Sequence, residues 1–483
     1  MSFDGRVLVI GLGGVSQCTL PLLFAELGVE PSRFTVLDFA GVGEHARWVQ
    51  AQGATFEHGR ITPDNLGEMM GRLVGPGSIV VDLAWNIDTA SMLEWCRAHD
   101  VRFVNASIEL WDPYEGFGSE PPQDRTLYVR HMALRRMIAR WGDNDGPTAV
   151  LDHGANPGLV SHFTKAALED IADAWLAGDA RGDGEVRERV GDARRRRAFA
   201  ELAHLLGVKV VHISERDTQI SNRPKEENEF VNTWSVEGFH EEGIAPAEMG
   251  WGTHEKTLPP GAHVHRAGPM NQICLARPGC QTWVRSWVPC GEIVGMVIRH
   301  GEAFSISDRL TVRDEDGTPV YRPTVHYAYC PADAAIASLH ELHMRRYELQ
   351  DRRRIMTDDI VEGRDELGCL LMGHPFKSWW IGSLLDIHES RRLVPHQNAT
   401  TLQVAASILA AVKWMMDNPN EGVRLPDDLP HSSILDVAQP YLGPFLSAPV
   451  DWTPLDRWVD PFAGYGRPRP PQEDVWQFTT FLV

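Results

Sequence analysis

Arg6-Val-Leu-Val-Ile-Gly-Leu-Gly-Gly-Val-Ser16, followed by Thr35-Val-Leu-Asp38, is the stretch whose reading decides the fold. Val7 to Ile10 form an apolar run of the kind a buried parallel strand needs. Gly11 and Gly13 come next, and Gln17 to Leu27 reads as a helix. Strand, glycine turn and helix in this order make a cradle for a dinucleotide. Gly11 permits the tight turn and Gly13 lets the backbone approach a pyrophosphate. The helix start, with Gly14, Val15 and Ser16, offers unpaired N–H groups to that charge. Ser16 stands where the pattern has its third glycine and is small enough to keep helix and strand close. Asp38 ends a second β-type run. A carboxylate there accepts hydrogen bonds from a ribose diol and repels a 2′-phosphate, which favours NAD over NADP.

Outward from this unit, strand and helix signals alternate to about residue 155. Segments 43–52, 65–74, 89–99 and 126–141 read as helices; 78–83, 101–105 and 148–152 read as strands. Ligands of such sheets sit beyond the carboxyl ends of the strands. Those ends carry Ala84-Trp-Asn-Ile-Asp88 and Asn105-Ala-Ser107-Ile-Glu109, so a carboxylate from each, Asp88 and Glu109, is expected to face the cofactor. Asp88 also fits a helix cap. Ala84, Ser107, Asn156 and Pro157 are expected against the cofactor, Asn156 from the turn His153-Gly-Ala-Asn-Pro-Gly158.

Beyond that turn, β-type runs dominate from Val208 to about Tyr329, as in 208–213, 281–287 and 293–298, separated by turn residues. The Gly-, Asp- and Arg-rich stretch 178–197 reads as a solvated connection leading into a helix. Residues 334–351 read as a helix, and Thr400 to Asp417 as an amphipathic one. The last sixty or so residues, rich in Pro and Trp, read as an ordered wrap or a dimer contact. The expected fold class is α/β: an N-terminal Rossmann-type parallel sheet plus a second α+β domain with a largely antiparallel sheet. The expected units are a nucleotide-binding domain over 1–155, a substrate and dimerisation domain over 156–395, and a C-terminal part over 396–483. In the last, a helix packs back on the first domain and an ordered tail follows.

With 43% hydrophobic and 23% charged residues, the 483-residue chain has the composition of a soluble globular protein. No apolar run approaches the ~20 residues of a membrane span, and no signal peptide opens the chain, so a cytoplasmic protein is expected. Its seven cysteines are scattered without a CxxC pair, which points to neither a disulfide framework nor a metal site. A formal charge of −20 argues against nucleic acid and suits a cationic ligand.

The second domain carries Val231-Asn-Thr-Trp234-Ser-Val-Glu-Gly-Phe-His-Glu-Glu242, with Glu215-Arg-Asp-Thr-Gln219 upstream and Gly250-Trp-Gly-Thr-His254 and Arg299-His300 downstream. Carboxylates interleaved with tryptophans are what an alkylammonium site needs. The acids offset desolvation of the charge, and an indole face adds a cation–π attraction of about 0.5–2 kcal/mol.

Together with Glu248-Met-Gly-Trp-Gly-Thr-His-Glu255, Gly154-Ala-Asn-Pro-Gly158, Asp365-Glu-Leu-Gly368 and Pro440-Tyr-Leu-Gly443, these stretches resemble the bacterial homospermidine synthases, a family of the saccharopine dehydrogenase-like group. The resemblance spans nearly the whole chain. It implies an NAD-dependent homodimer that joins two putrescines into sym-homospermidine. It implies that Trp234 steadies cationic intermediates beside Glu242, that His300 sits at the reacting centre, and that Asn156 lies near the nicotinamide. Glu109, Glu215 and Asp365 would then grip the amines. Either His300 or Glu242 could serve as general base. The competing enzyme class is a saccharopine- or carboxynorspermidine-type reductive condensation. That chemistry needs arginines for a substrate carboxylate, and Arg216, Arg285 and Arg299 are the candidates.

Overall fold

The computed structural model describes residues 3–116, 118–178, 184–459, 465 and 468–483. The N-terminal sheet has seven strands, all parallel, in the spatial order 423–424, 149–150, 102–105, 79–82, 7–10, 34–38, 55–58. Val7–Ile10 and Ile79–Asp82 are buried at every position, as strands covered by helices on both faces must be. The direction of winding reverses between these two strands, and the crevice at their carboxyl ends is where such sheets bind ligands. The fold is the Rossmann-type arrangement expected from the opening stretch.

Two of the seven strands carry no local signal. Thr55–His58 is a half-exposed, polar edge strand, and Val423–Arg424 is two residues long and arrives from the far end of the chain. The expected strand 148–152 shortens to Ala149–Val150, because Asp152 turns out of the sheet with φ +57.

The second sheet has ten strands. Its main path runs 262–264, 272–278, 246–250, 324–330, 210–217, 364–374, 377–386, 445–450, and the hairpin 283–288/291–296 joins it at 324–330. Its pairings are antiparallel except for Val210–Asp217 beside Thr324–Cys330. Under it lies Leu159–Ala177, a helix without an amphipathic stripe at its start, since Leu159 to Lys165 are all buried. The buried Lys165 ammonium donates to the carbonyls of Pro426, Asp427 and Leu429, which ties the C-terminal part to this helix.

Ala399–Asp417 starts at Asn398, whose side chain accepts from the Thr401 N–H at 2.8 Å, and packs along Gly14–Glu26. It is apolar enough to cross a membrane by composition, but most of it is buried inside the protein as a core helix. The stretch expected to be helical over 334–351 is helical over Asp333–Met344 only, ending where Arg346 and Tyr347 take positive φ. Of the expected connection 178–197, residues 179–183 lie outside the described residues, and Gly184–Arg196 is a helix. The chain's last part touches both sheets. Val423–Arg424 extends the first and Phe445–Val450 the second, and Phe478 and Phe481 enter a core with Trp380 and Trp452.

Candidate active site

At the nucleotide turn, Gly11 holds φ +90 and its Cα lies so close to strand 79–82 that a Cβ would sit 3.0 Å from the Leu83 carbonyl. A Cβ at Gly13 would meet nothing, so this backbone faces open space. Gly13 begins the helix Gly14–Glu26 without a side-chain cap, leaving its first N–H groups to a ligand. Asp38 accepts from the backbone N–H groups of Leu12 and Ala40, each at 2.6 Å, which fixes the carboxylate at the mouth of the turn. These residues fit a dinucleotide.

A cleft of about 180 Å³ opens beside this turn. The loops after the parallel strands contribute Val15, Asp82, Ala84, Trp85, Ser107, Glu109, Asn156 and Pro157; the part of the chain built on the second sheet contributes Glu215, Trp234, Gly238, Glu242, His300 and Tyr327. Thr400, Gln403 and Val404 of the long C-terminal helix close it. The expected Glu109, Asn156, Glu215, Trp234, Glu242 and His300 are therefore gathered in one place.

Sheet register explains how the second-domain groups converge. Glu215 is paired with Tyr329 and Leu367, and Asp217 with Asp365. Strand alternation then puts Glu215, Asp217, Tyr327, Tyr329 and Asp365 on one face. Their apolar neighbours on that face, Ile213 and Leu367, share a core with Val9 and Val81 of the first sheet. Glu215 Oε2 accepts from the Tyr327 hydroxyl and from Asn156 Nδ2, the latter at 2.8 Å. Trp234 Nε1 donates to the Tyr329 hydroxyl at 3.0 Å, and Phe239 backs the indole at 5.3 Å between ring centres.

His300 Nε2 is 3.0 Å from Glu242 Oε2, and Nδ1 is 3.3 Å from Glu302 Oε1. Burial disfavours its charge, yet the two flanking carboxylates outweigh burial and push the imidazole well above its ordinary value. The two carboxylates thus favour the protonated imidazole, the form that can donate a proton.

The carboxyls are raised as well, which for an acid favours the neutral form. Burial pushes Asp82 up to about 8 with help from Glu109, Glu109 up to about 7 with help from Glu241, and Glu215 up to about 8 with help from Asp217. Glu109 Oε1 accepts from the Ser107 hydroxyl at 2.6 Å, while Oε2 is buried without a hydrogen-bond partner. Among the described residues, no arginine or lysine lines the cleft. It is built to be completed by positive charge.

Several expectations need correction. Asp88 does not reach the cleft: its carboxylate caps helix Thr89–Ala98, accepting from the N–H and hydroxyl of Ser91 at 2.7 and 2.6 Å. Asp365 is fully buried behind the cleft wall, with Oδ2 accepting from the Thr400 hydroxyl at 2.6 Å, and burial with Glu215 and Asp217 nearby pushes it well up. Glu248 accepts from the N–H of Leu127, and His254 and Glu255 bind the C-terminal tail at Trp476 and Phe478. The arginines required by the competing reading are engaged elsewhere. Arg216 pairs with Asp333, Arg285 lies over Trp458, and Arg299 holds Glu241. Conversely, Asp82, Tyr327, Thr400 and Gln403 line the cleft without having been singled out. Asp82 had a readable signal, since it is the acid at the strand end itself.

Comparison with known proteins agrees with this geometry. Residues 7–150 match the family model "Saccharopine dehydrogenase NADP binding domain" and 154–448 match "Saccharopine dehydrogenase C-terminal domain". A homospermidine synthase of Blastochloris viridis is 40% identical over 99% of this chain and 98% of its own length. One from Mesorhizobium japonicum is 37% identical over 99% and 96%. Among solved structures, the homospermidine synthase of Legionella pneumophila in complex with NAD superposes with a TM-score of 0.87 at 36% identity, covering 100% of this chain and 98% of that one.

Proposed function

Because the chain belongs to the homospermidine synthase family, we propose that it uses NAD to join two putrescines into sym-homospermidine with release of ammonia. The observation that carries the reading is the cleft itself. It sets four carboxyls, from Asp82, Glu109, Glu215 and Glu242, beside two indoles, Trp85 and Trp234, with no guanidinium or ammonium among the described lining residues. A diammonium ligand supplies the missing charge, whereas a substrate carboxylate would find only His300 to set against four carboxyls. Asp38 at the mouth of the turn supports NAD over NADP.

Bound NAD⁺ would accept a hydride from the carbon beside one amine and return it at the end. The chain's own groups hold the charges and move the protons. Glu215, fixed by Tyr327 and Asn156, and Glu109, with its unpartnered oxygen, take the two ends of an extended diamine. An amine loses hydride only when unprotonated, and carboxyls titrating near neutrality, such as Glu109 and Glu215, suit that proton exchange. The indole of Trp234 faces the cationic imine that results. The second putrescine attacks this carbon, and His300, kept protonated by Glu242 and Glu302, donates to the departing ammonia. The remaining imine would be the acceptor of the hydride that the cofactor returns. Two diamines give one triamine and one ammonia, and the redox state is unchanged.

The test is to incubate the protein with putrescine and catalytic NAD⁺ and to identify the product by mass spectrometry. A triamine forming without net change in NADH absorbance supports the reading. Stoichiometric consumption of NAD(P)H with a keto or aldehyde acid would support the competing condensation instead.

A pH dependence follows from the raised carboxyls. Each holds its proton in the folded protein but releases it near its ordinary value when unfolded. The folded protein therefore binds more protons between those limits, and stability falls as pH rises from about 4.5 toward 8. Putrescine offsets the charge that appears. It is expected to raise the melting temperature more at pH 8 than at pH 6; an equal or smaller shift at pH 8 would contradict the assigned charge pairing. We also read the enzyme as a cytoplasmic homodimer, on the strength of the family resemblance. Light scattering should then give twice the chain mass, and a monomer mass would end that reading.

A further inference from the structure

Beside the cleft, Glu241 joins three elements in one cluster. Its Oε1 accepts from Arg130 Nη2 at 2.7 Å and from Arg299 Nη2, and its Oε2 accepts from Trp85 Nε1 at 3.1 Å. The Arg130, Glu241 and Arg299 side chains are 9%, 7% and 6% exposed. Arg130 also donates to the Ile108 carbonyl at 2.8 Å, and Arg299 to that of Arg125 at 3.3 Å. All but Arg130 adjoin a cleft residue in the chain: Trp85 follows Ala84, Ile108 (whose carbonyl Arg130 binds) precedes Glu109, Glu241 precedes Glu242, and Arg299 precedes His300. Trp85 itself is 38% exposed and lines the cleft mouth.

We propose that Arg130, Glu241, Arg299 and Trp85 form a positioning clamp that fixes the Glu109 wall of the first domain against the Glu242–His300 pair of the second and tunes the charge of Glu109. Two buried guanidinium groups on one carboxylate are a costly arrangement with little to recommend it for stability alone, because desolvation cancels much of the attraction. What the arrangement supplies here is geometry. It spans the loops after strands 79–82 and 102–105, helix Leu127–Arg140, helix Val236–Ile244 and the start of helix Gly301–Arg309. It also sets a charge balance. Glu241 repels the Glu109 carboxylate while Arg130 attracts it, so neutralising Glu241 lets Glu109 stay ionised to lower pH.

This inference rests on the proposed proton exchange at Glu109 and His300, and its test separates the two. Full-length Glu241→Gln and Trp85→Phe are compared with the wild type for kcat, KM, melting temperature and the pH midpoint of putrescine binding by calorimetry. Glu241→Gln is expected to lose roughly tenfold or more in kcat, with NAD affinity within about twofold. Its putrescine-binding midpoint should move down by roughly half a pH unit or more. Trp85→Phe keeps an aromatic, though smaller, ring and removes the one donor to Glu241, so a smaller kcat loss with little change in melting is expected. Wild-type kcat and midpoint in both variants would overturn the clamp, as would a kcat loss with no movement of the midpoint in Glu241→Gln. Should Glu241→Gln fail to fold, Trp85→Phe decides alone, and unchanged kcat there overturns the proposal. A wild type that binds putrescine but forms no triamine would remove the assigned reaction, while the midpoint shift would still judge the clamp.

Discussion

Trp234→Ala is expected to bind NAD as the wild type does and to turn over roughly ten- to a hundredfold more slowly. The indole is held from three sides. Its Nε1 donates to Tyr329, Phe239 backs it, and Gly238 clears its edge, where a Cβ would come within 3.2 Å of the ring. The ring therefore presents a fixed face to the cleft. A cation–π contact of about 0.5–2 kcal/mol acts on the bound ammonium and again on the imine cation that follows it. The imine cation has fewer N–H groups than the ammonium to donate to the carboxylates, so it leans more on the indole and the loss falls mainly on kcat. Trp234→Phe keeps a weaker π face and should lie between the two. Titration of NAD by fluorescence and steady-state kinetics with putrescine measure both quantities. Unchanged turnover would take Trp234 out of the mechanism.

Glu215→Gln is expected to lose at least about thirtyfold in kcat/KM for putrescine, in line with the 2–5 kcal/mol that removing one partner of a buried, hydrogen-bonded charge pair costs. The amide fits the same space and can still accept from Tyr327 and Asn156, so the fold is spared. Because burial pushes the Glu215 carboxyl up to about 8, its ionised form strains the folded protein at alkaline pH. The neutral amide should therefore raise the melting temperature above pH 8 while activity falls, a trade expected where function requires an unfavourable buried charge. A kcat/KM within threefold of wild type, or lower stability at alkaline pH, would contradict the placement of Glu215 at an amine.

The nucleotide turn was legible because everything it needs is local. Gly11, Gly13 and Asp38 act through backbone conformation and one strand end, and a short window of sequence contains all of it. The cleft is different. Glu109, Asn156, Glu215, Trp234, Glu242 and His300 meet only through tertiary packing, and their gathering was anticipated by resemblance to a family, with no periodicity to reveal it. Asp88 shows how local rules compete. Preceding a helix, it spends its carboxylate on Ser91, while Asp82, at the strand end itself, takes the place in the cleft. Thr400 and Gln403 sit on a helix whose apolar spacing reads as core, yet polar side chains in so apolar a helix mark where it leaves the core and meets the cleft. The stretch around Trp251 joins the acids by sequence alone; in the fold it serves the C-terminal tail. Thr55–His58 and Val423–Arg424 lacked a pattern because one is a polar edge and the other is defined only by its distant partner Ala149–Val150.

The most direct test follows hydrogen through the cleft. Putrescine deuterated at both carbons bearing nitrogen is incubated with the protein and catalytic NAD⁺ in the presence of excess unlabelled NADH, and the triamine is weighed by mass spectrometry. If an acidic, tryptophan-walled cleft keeps the cofactor and its imine together through both hydride steps, the homospermidine retains every deuterium. A product lacking one deuterium would show that the hydride escapes between the steps, and no triamine at all would remove the assignment.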